Sequence, residues 1–248
     1  MTAVVAIPAR LRSTRLPRKV LSDIGGRTML ERTHEVACEA GCGPVVVLTD
    51  APEVMAEARS FGADVILTGA ALESGTARIA SVVERLGADI VVNLQADAPF
   101  LDPAVVTRSV RAAERSAAPV TMPVERITSA RELLNPGVVK VVRAHDGRAL
   151  YFSRSPVPYV RDAPPSEWLR AATFWAHVGL YAYHRGFLER FGTLPPSRLE
   201  RAERLEQLRW LEAGVSLHTF EVEPQPPSVD TPADLEHARS RVTVGAMG

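Results

Sequence analysis

Short apolar runs alternate with helix-spaced apolar residues along the first part of the chain. The runs cover residues 3–7, 44–48, 64–67 and 90–94, and the first of them is typical of a strand buried on both faces. Between the runs, apolar residues recur every three or four positions, as in an amphipathic helix. This repeated alternation of strand and helix predicts a doubly wound α/β fold, with a mostly parallel sheet flanked by helices.

The second half of the chain is less regular but still mixes strands with helices. Apolar runs predict strands near residues 138–142, 178–183 and 215–222, and helical spacing predicts helices near 199–211 and 232–241. Four prolines between residues 156 and 165 predict an extended excursion at about residues 150–185. Since neither a repeat nor a linker divides the chain, we predict one domain over residues 1–248.

Composition narrows the range of partners. The 29 Lys plus Arg residues equal the 29 Asp plus Glu residues, whereas a nucleic-acid partner favours a basic excess. No apolar run reaches the roughly 18 residues of a membrane span, and the first residues lack a signal-peptide pattern. We therefore expect a cytoplasmic protein with neither a nucleic-acid nor a membrane partner. Cys38 and Cys42 lack a second cluster at zinc-site spacing and are interpreted as reduced thiols.

A basic loop follows the first predicted strand. Residues 10–19 contain five cations, Arg10, Arg12, Arg15, Arg18 and Lys19, at the position where a doubly wound sheet binds its ligand. Planar guanidinium groups and a compact ammonium group suit a triphosphate; the alternative is an ordinary solvated loop. The chain contains neither a Walker A motif nor a G-x-G-x-x-G motif, so phosphate binding would depend on basic side chains and loop amides.

Two carboxylates are candidates for a magnesium site. Asp97 follows the fourth predicted strand, and Asp230 precedes the last predicted helix. Mg²⁺ is commonly held by one or two carboxylates together with substrate phosphates. Asp230 could instead be an ordinary turn residue before Pro232. Together, the loop and the carboxylates predict a site for a nucleotide triphosphate with Mg²⁺; the resemblance described next implies a magnesium-dependent nucleotidyltransferase.

Several ordered motifs make the chain resemble the 3-deoxy-manno-octulosonate cytidylyltransferases, or CMP-Kdo synthetases. The resemblance runs nearly end to end and rests on IPAR at 7–10, STRLP at 13–17, Lys19, SGTAR at 74–78, NP at 135–136, VKVV at 139–142, ALYFSR at 149–154, H-x-G-x-Y-x-Y at 177–183, LEQLR at 205–209 and VDTP at 229–232. Each motif is short, but their order and spacing are specific. The resemblance implies a fold like that of the nucleotide-diphospho-sugar transferases.

The resemblance also implies a reaction and a set of site residues. In this family the anomeric hydroxyl of a keto sugar acid attacks the α-phosphate of CTP, and a CMP-sugar forms for lipopolysaccharide assembly. The implied CTP-binding residues are Arg10, Ser13, Arg15, Lys19, Ser74, Thr76 and Arg78, and the implied sugar-binding residues are Gln95, His177, Tyr181, Glu206 and Gln207. Asp97 and Asp230 would hold Mg²⁺, and Arg10, Arg15, Lys19 and Asp97 would be catalytic. Family members are homodimers, and residues 154–176 fall where they pair.

The residues themselves partly support these roles. In a strand beginning near His177, alternate side chains put His177, Tyr181 and Tyr183 on one face, and Gly179 between them leaves room for a ligand. Glu206 and Gln207 interrupt the apolar positions of a predicted helix; without the resemblance they would be interpreted as a solvated face.

The chain departs from the family at a few positions. It reads Gln95-Ala96-Asp97-Ala98-Pro99 where the family usually has Gln-Gly-Asp-Glu-Pro, and Arg18, Ala176 and Ser228 replace Gly, Arg and Gly. These changes leave two alternatives open: an enzyme for a related keto sugar acid, or a nucleotide-binding homologue without catalysis.

Overall fold

The protein contains one ten-stranded β-sheet. The structure is a computed structural model, and it describes residues 1–245. Its strands are β1 (Ala3–Pro8), β2 (Val45–Thr49), β3 (Asp64–Leu67), β4 (Ile90–Leu94), β5 (Val120–Arg126), β6 (Lys140–Arg143), β7 (Ala149–Ser153), β8 (Trp175–His177), β9 (Leu180–His184) and β10 (Leu217–Val222). The order is β3-β2-β1-β4-β9-β5-β8-β6-β7, and β10 pairs with β5. The predicted doubly wound α/β fold is confirmed.

The first four strands form a parallel half, and the later strands make the sheet mixed. β1 lies between β2 and β4 and is parallel to both, whereas β9 pairs antiparallel with β4. β8 and β9 lie end to end along one edge of β5, separated by Val178 and Gly179, and β10 occupies the other edge of β5. The predicted strand at 178–183 is therefore shorter than expected, because the chain leaves the sheet between β8 and β9.

Helices cover both faces of the sheet. They are α1 (Met29–Glu39), α2 (Pro52–Ser60), α3 (Gly75–Ala80), α4 (Val83–Leu86), α5 (Pro103–Arg115), α6 (Ala130–Leu134), α7 (Trp168–Ala171), α8 (Arg185–Phe191), α9 (Arg198–Glu203), α10 (Gln207–Glu212) and α11 (Pro232–Gly245). Alternate side chains of β4 show how the layers form: Val91 packs into one apolar cluster, and Val92 packs into the cluster on the opposite face.

Polar residues set where several helices begin. Ser74 starts α3 by accepting a hydrogen bond from the Ala77 N–H at 3.0 Å, and Asp102 starts α5 by accepting one from the Ala104 N–H at 2.9 Å. Such caps satisfy backbone N–H groups that have no partner inside the helix. The cap at Ser74 fixes the first residues of α3 at the carboxyl edge of the parallel strands.

The prediction of one helix over residues 199–211 is wrong. Arg204 adopts a left-handed conformation with φ of 53° and ends α9, and α10 begins at Gln207. The apolar spacing continues through the break because Leu205 and Leu208 are both buried, so periodicity alone does not reveal it. The interpretation of Glu206 and Gln207 as a solvated face is also wrong, since the break turns both side chains inward.

The proline-rich stretch leaves the sheet after β7. The excursion predicted at about residues 150–185 is shorter than expected: residues 154–164 contain neither helix nor strand, but a 3₁₀ turn at Pro165–Glu167 and the short α7 follow, and β8 and β9 return the chain to the sheet. A small apolar cluster around Trp168, Phe174 and Leu133 supports this segment. Of the helices in the described residues, none has the length and apolarity to cross a membrane.

Candidate active site

The basic loop and the two candidate carboxylates meet at the carboxyl edge of β1 and β4. A cavity of about 150 Å³ lies between them, here called the basic cleft. Its lining includes Arg10, Arg12, Ser13, Thr14, Arg15, Lys19, Gln95, Ala96, Asp97 and Asp230. β1 and β4 are adjacent and parallel, so the residues that follow them lie side by side. The structure therefore brings together positions 10–19, 97 and 230.

Lys19 connects the two carboxylates. Its Nζ lies 2.5 Å from Asp97 Oδ2 and 2.9 Å from Asp230 Oδ1, and Arg15 Nη2 also lies 2.9 Å from Asp230 Oδ1. Burial of Lys19 disfavours its charge, but the two neighbouring carboxylates outweigh burial and raise the pKa of Lys19. Lys19 is therefore a fixed cation at the centre of the cleft.

The same geometry is compatible with a magnesium ion. Two carboxylates converge on one point, where they already accept hydrogen bonds from a cation, and oxygen is the ligand that Mg²⁺ prefers. Within residues 1–245, no group of three or more His, Cys, Asp and Glu side chains could hold a metal. Asp97 and Asp230 would therefore need substrate phosphates and water to complete the coordination of Mg²⁺.

A hydrogen-bonded wall extends from β4 to the start of α3. Gln95 Nε2 donates to Asn93 Oδ1 at 2.7 Å, and Asn93 Nδ2 donates to Tyr183 Oη at 3.2 Å. Tyr183 Oη lies 3.0 Å from Thr76 Oγ1. This continuous network links the basic cleft to the N-terminus of α3.

Glu206 completes that wall from the opposite side. Its carboxylate accepts hydrogen bonds of 2.5 Å from both Ser74 Oγ and Thr76 Oγ1. Burial raises the pKa of Glu206, and the bonds from Ser74 and Thr76 counteract part of this shift. A second cavity of about 840 Å³, lined in part by Arg10, Ser74 and Glu206, opens between α3 and the α9–α10 pair. This space can hold a ligand as large as a nucleotide.

Arg78 lies deeper than the other candidate residues. Its side chain is 4% exposed, and Nη2 lies 3.1 Å from Asp50 Oδ1; Nη1 donates to Thr68 Oγ1. Burial lowers the pKa of Arg78, and Asp50 opposes the shift. Asp50 therefore fixes the orientation of the Arg78 guanidinium, and a ligand that contacts Arg78 would meet it in that orientation.

An aromatic row confirms the predicted face of the strand. The ring centroids of His177 and Tyr181 lie 5.0 Å apart, and those of Tyr181 and Tyr183 lie 5.8 Å apart. His177 Nε2 is buried and has no hydrogen-bond partner among the described residues, and burial lowers the pKa of His177 to about 3. Tyr181 Oη donates to Gln207 Oε1 at 3.4 Å. The neutral imidazole therefore keeps one buried nitrogen without a hydrogen-bond partner among the described residues.

Sequence reasoning missed two residues of this site, Asn93 and Asp50, and it placed Tyr183 on the correct face of its strand without giving it a role. Asn93 and Tyr183 hold the polar wall together, and Asp50 pairs with Arg78. Asp50 follows β2 directly, at the same edge as Asp97, and this position is the signal that could have identified it. Asn93 is the polar residue in an otherwise apolar β4, which is a comparable signal.

Two of the residues that depart from the family pattern, Ala96 and Ala98, fit their surroundings without strain. Ala96 is buried without a positive φ, so its backbone does not require glycine, and its carbonyl O accepts a bond from Thr33 Oγ1 at 3.1 Å. Ala98 packs against the apolar cluster on one sheet face. Arg18 differs, since it adopts φ of 56°, a conformation that favours glycine.

Comparison with known proteins places these features in a family. Residues 4–217 match the model of a family described as Cytidylyltransferase. The 3-deoxy-manno-octulosonate cytidylyltransferase of Acidobacterium capsulatum is 47% identical over 230 residues, covering 92% of this chain and 91% of the relative. The enzyme of that name from Geobacter sulfurreducens is 42% identical over 247 residues, with coverages of 95% and 97%.

Solved structures agree with the sequence comparison. A structure of CMP:2-keto-3-deoxy-manno-octonic acid synthetase complexed with CTP has a TM-score of 0.92 at 42% identity and covers 99% of this chain and 100% of its own. A cytidylyltransferase from Leptospira borgpetersenii has a TM-score of 0.65 at 17% identity, with coverages of 98% and 87%. The second likeness concerns the fold alone.

Proposed function

Because this chain belongs to the 3-deoxy-manno-octulosonate cytidylyltransferase family, we propose that it transfers CMP from CTP to the anomeric hydroxyl of 3-deoxy-manno-octulosonate or a close analogue. The supporting observation is the meeting of a basic loop with Asp97 and Asp230 at the carboxyl edge of the sheet. The polar wall of Ser74, Thr76 and Glu206 lies beside the same opening.

The reaction exchanges one phosphorus–oxygen bond for another. The anomeric oxygen attacks the α-phosphorus of CTP, the bond from that phosphorus to the bridging oxygen breaks, and diphosphate leaves with the bonding electrons. The hydroxyl proton passes to solvent, so a dedicated general base is not required. Alignment and positive charge contribute most to such a displacement.

The residues of the basic cleft suit these two requirements. Arg10 has no ion-pair partner among the described residues and lines both cavities, so its guanidinium is available to the triphosphate together with Ser13, Arg15 and Lys19. Asp97 and Asp230 would hold Mg²⁺, which would supply positive charge at the phosphates when bound. In this proposal, Lys19 binds both carboxylates and can also contact a phosphate oxygen.

The remaining residues divide between base and sugar. Ser74, Thr76 and Arg78 lie at or near the start of α3 and would recognise cytosine, with Asp50 orienting Arg78. Gln95, His177, Tyr181, Glu206 and Gln207 would contact the sugar acid. The buried, unpartnered His177 Nε2 is suited to a sugar hydroxyl or carboxylate.

We further propose that the protein is a cytoplasmic homodimer that pairs through the segment after β7. Tyr159 in this segment is 76% exposed and Leu150 on the edge strand β7 is 45% exposed, and exposed apolar groups of this kind are common at interfaces. Sedimentation equilibrium is the direct test, and a monomer at micromolar concentration would contradict the dimer.

Diphosphate release tests the proposed activity. The protein is mixed with CTP, Mg²⁺ and each member of a panel of keto sugar acids, and diphosphate is measured with a coupled assay. We expect release only when CTP and a suitable sugar acid are both present. Release with a different sugar acid would favour the related-enzyme alternative, and no release across the panel would favour the non-catalytic alternative.

A further inference from the structure

The break between α9 and α10 determines where Glu206 lies. Arg204 turns the chain with φ of 53°, and Leu205 then packs into the core. Glu206 comes next, and its carboxylate reaches Ser74 and Thr76 on α3. Any shift of the break would therefore move Glu206 and its neighbour Gln207 relative to the rest of the site.

Arg154, which directly follows β7, binds the end of α9. Its backbone N–H donates to Glu203 Oε2 at 2.9 Å, and its Nε donates to the Glu203 carbonyl O at 2.7 Å. A longer contact of 3.4 Å joins Nη2 to the Arg204 carbonyl O. The last carbonyls of a helix lack partners inside it and carry partial negative charge, so a guanidinium both satisfies and orients them.

The Arg154 side chain also contacts the turn that precedes β6. Nη1 donates to the Pro136 carbonyl O at 2.9 Å, and the turn that carries Pro136 is fixed by buried Lys140, whose Nζ donates to the carbonyls of Asn135 at 2.9 Å and Val138 at 2.7 Å. Ser153 Oγ, at the end of β7, donates to Glu203 Oε1 at 2.7 Å. Arg154 therefore connects the helix break to β6 and β7.

Contacts within the helix pair do not replace this connection. Arg209 on α10 binds Glu200 on α9 with two bonds of 2.6 and 2.8 Å, which keep α9 and α10 together. That ion pair does not attach the two helices to the sheet. Without the Arg154 side chain, the α9–α10 pair would keep its internal geometry, its core packing and the bond from Ser153 Oγ to Glu203, but it would lose the guanidinium bonds to the carbonyls at the end of α9.

We propose that Arg154 is a positioning residue for Glu206: by binding the carbonyls at the end of α9, it holds Glu206 against Ser74 and Thr76. The kinetic part of this inference rests on the proposed function, in which Glu206 contacts the sugar acid. The Arg154 side chain acts through the helix break, because its guanidinium binds backbone carbonyls of Glu203, Arg204 and Pro136.

A double-mutant cycle tests the coupling. Arg154→Met, Glu206→Gln and the double variant are compared with wild type for kcat and for KM of each substrate. We expect Arg154→Met to lower kcat/KM for the sugar by about tenfold or more, mainly through KM, with little further loss in the Glu206→Gln background. Effects that simply multiply, without interaction between the two positions, would overturn the proposal.

Two further variants separate positioning from general stability. Arg154→Lys keeps the charge but cannot bind several carbonyls at once, so it should fall between wild type and Arg154→Met. If Arg154→Met does not fold, the cycle is run with Arg154→Lys. Arg190→Met is the matched control, because Arg190 Nε also donates to a backbone carbonyl, Gly186 O at 3.0 Å, but within α8. The control should leave KM unchanged.

Hydrogen exchange gives a readout that does not depend on catalysis. Amides of residues 205–208 should exchange faster in Arg154→Met than in wild type, while amides of β1 and β4 keep their rates. Unchanged exchange at 205–208 would contradict the positioning role even if the wild-type protein transferred no CMP. A failure of the proposed function would instead appear in the wild-type activity assay.

Discussion

The ammonium group of Lys19 has two carboxylate partners, and this pairing makes Asp97 and Asp230 more than surface acids. Both carboxylates are oriented by contacts with Lys19, at 2.5 and 2.9 Å. Asp230 has the additional contact with Arg15 at 2.9 Å. Asp230 is therefore more than an ordinary residue of the segment before α11, where its N–H also donates to Asp234 Oδ2 at 3.1 Å.

Replacing Asp97 tests the proposed metal site. Asp97→Asn should abolish diphosphate release, because an amide cannot neutralise Mg²⁺ and leaves Lys19 with one acidic partner. Asp230→Asn should also lose activity, with partial recovery at higher Mg²⁺ concentration. Asp64→Asn, at an exposed position on β3, serves as the control for removing one carboxylate. Near-normal turnover of Asp97→Asn at ordinary Mg²⁺ would exclude Asp97 as a required ligand.

The sugar-binding role proposed for His177 can be tested by substitution. Its Nε2 is buried without a partner among the described residues, so His177→Ala should raise KM for the sugar by about tenfold to 150-fold while CTP binding changes little. Calorimetry with CTP, sugar kinetics and a melting curve distinguish this outcome from a structural one. Equal loss for both substrates together with a large fall in Tm would make His177 structural.

The pH dependence of stability checks the environment of His177. Its pKa in the folded protein is about 3, below the ordinary value of 6.5, so the unfolded chain binds the proton more readily between these values. His177 should therefore destabilise the fold as pH decreases from 6.5 toward 3, by up to about 1.4 kcal/mol per pH unit. Denaturant melts of wild type and His177→Gln should diverge over this range. Parallel curves would show that the imidazole is solvated.

At the scale of elements, the turn before Lys19 has an unusual residue. Arg18 adopts φ of 56° immediately before the 3₁₀ turn Lys19–Leu21, and this backbone conformation directs Lys19 into the cleft. A non-glycine residue there costs about 1–2 kcal/mol. The surface ion pair of Arg18 with Glu53 at 2.7 Å offsets little of that cost, because exposed pairs contribute about 0–1 kcal/mol.

Substitutions at Arg18 measure this cost. Arg18→Gly relieves the strain but increases the entropy of the unfolded chain, so the free energy of unfolding should stay level or rise by up to about 1 kcal/mol. Arg18→Val should lower it, because a β-branched residue tolerates positive φ poorly. Chemical denaturation of both variants gives the comparison. Equal stability of the Gly and Val variants would contradict the left-handed conformation at position 18.

The elements also show how far the sequence predicts the structure. The strands predicted at 64–67 and 90–94 match β3 and β4 in full. β4 is a buried parallel strand and therefore almost entirely apolar, whereas β3 lies at the edge of the sheet and its end residues, Asp64 and Leu67, are exposed. The α9–α10 break was not predictable, since Arg204 is not a residue that signals a left-handed turn. The pairing of β8 and β9 with β5 depends on long-range contacts that apolar spacing does not encode.

The candidate site likewise contains residues that the sequence could place and residues that it could not. Asp97 and the 10–19 loop could be placed together from topology, because both follow adjacent strands of a doubly wound sheet. Glu206 could not be placed from its spacing, which matches a helix surface, and its position depends on the Arg204 turn and the Arg154 contacts. The resemblance implied a site role for Glu206 and Gln207, whereas periodicity alone predicts a solvated face for both.

At the scale of the whole molecule, charge is balanced overall but concentrated locally. The 29 basic and 29 acidic residues cancel, yet the basic cleft gathers cations around two carboxylates. Such an arrangement suits a small, highly charged ligand with bound metal more than an extended polyanion. The large cavity between α3 and the α9–α10 pair lies next to this cleft, since Arg10 lines both. The molecule thus provides two adjacent cavities, and the proposed function assigns the triphosphate to the basic cleft.

The fate of the α-phosphate tests the central claim most directly. The protein is incubated with Mg²⁺, 3-deoxy-manno-octulosonate and CTP radiolabelled at either the α- or the γ-phosphate, and the products are separated by chromatography. The account predicts that the α-label moves with the sugar acid as a CMP-sugar, in equal amount to the γ-label recovered as diphosphate, and that neither product forms without the sugar. An α-label that remains in free CMP or CDP, or a γ-label released without the sugar acid, would contradict cytidylyl transfer.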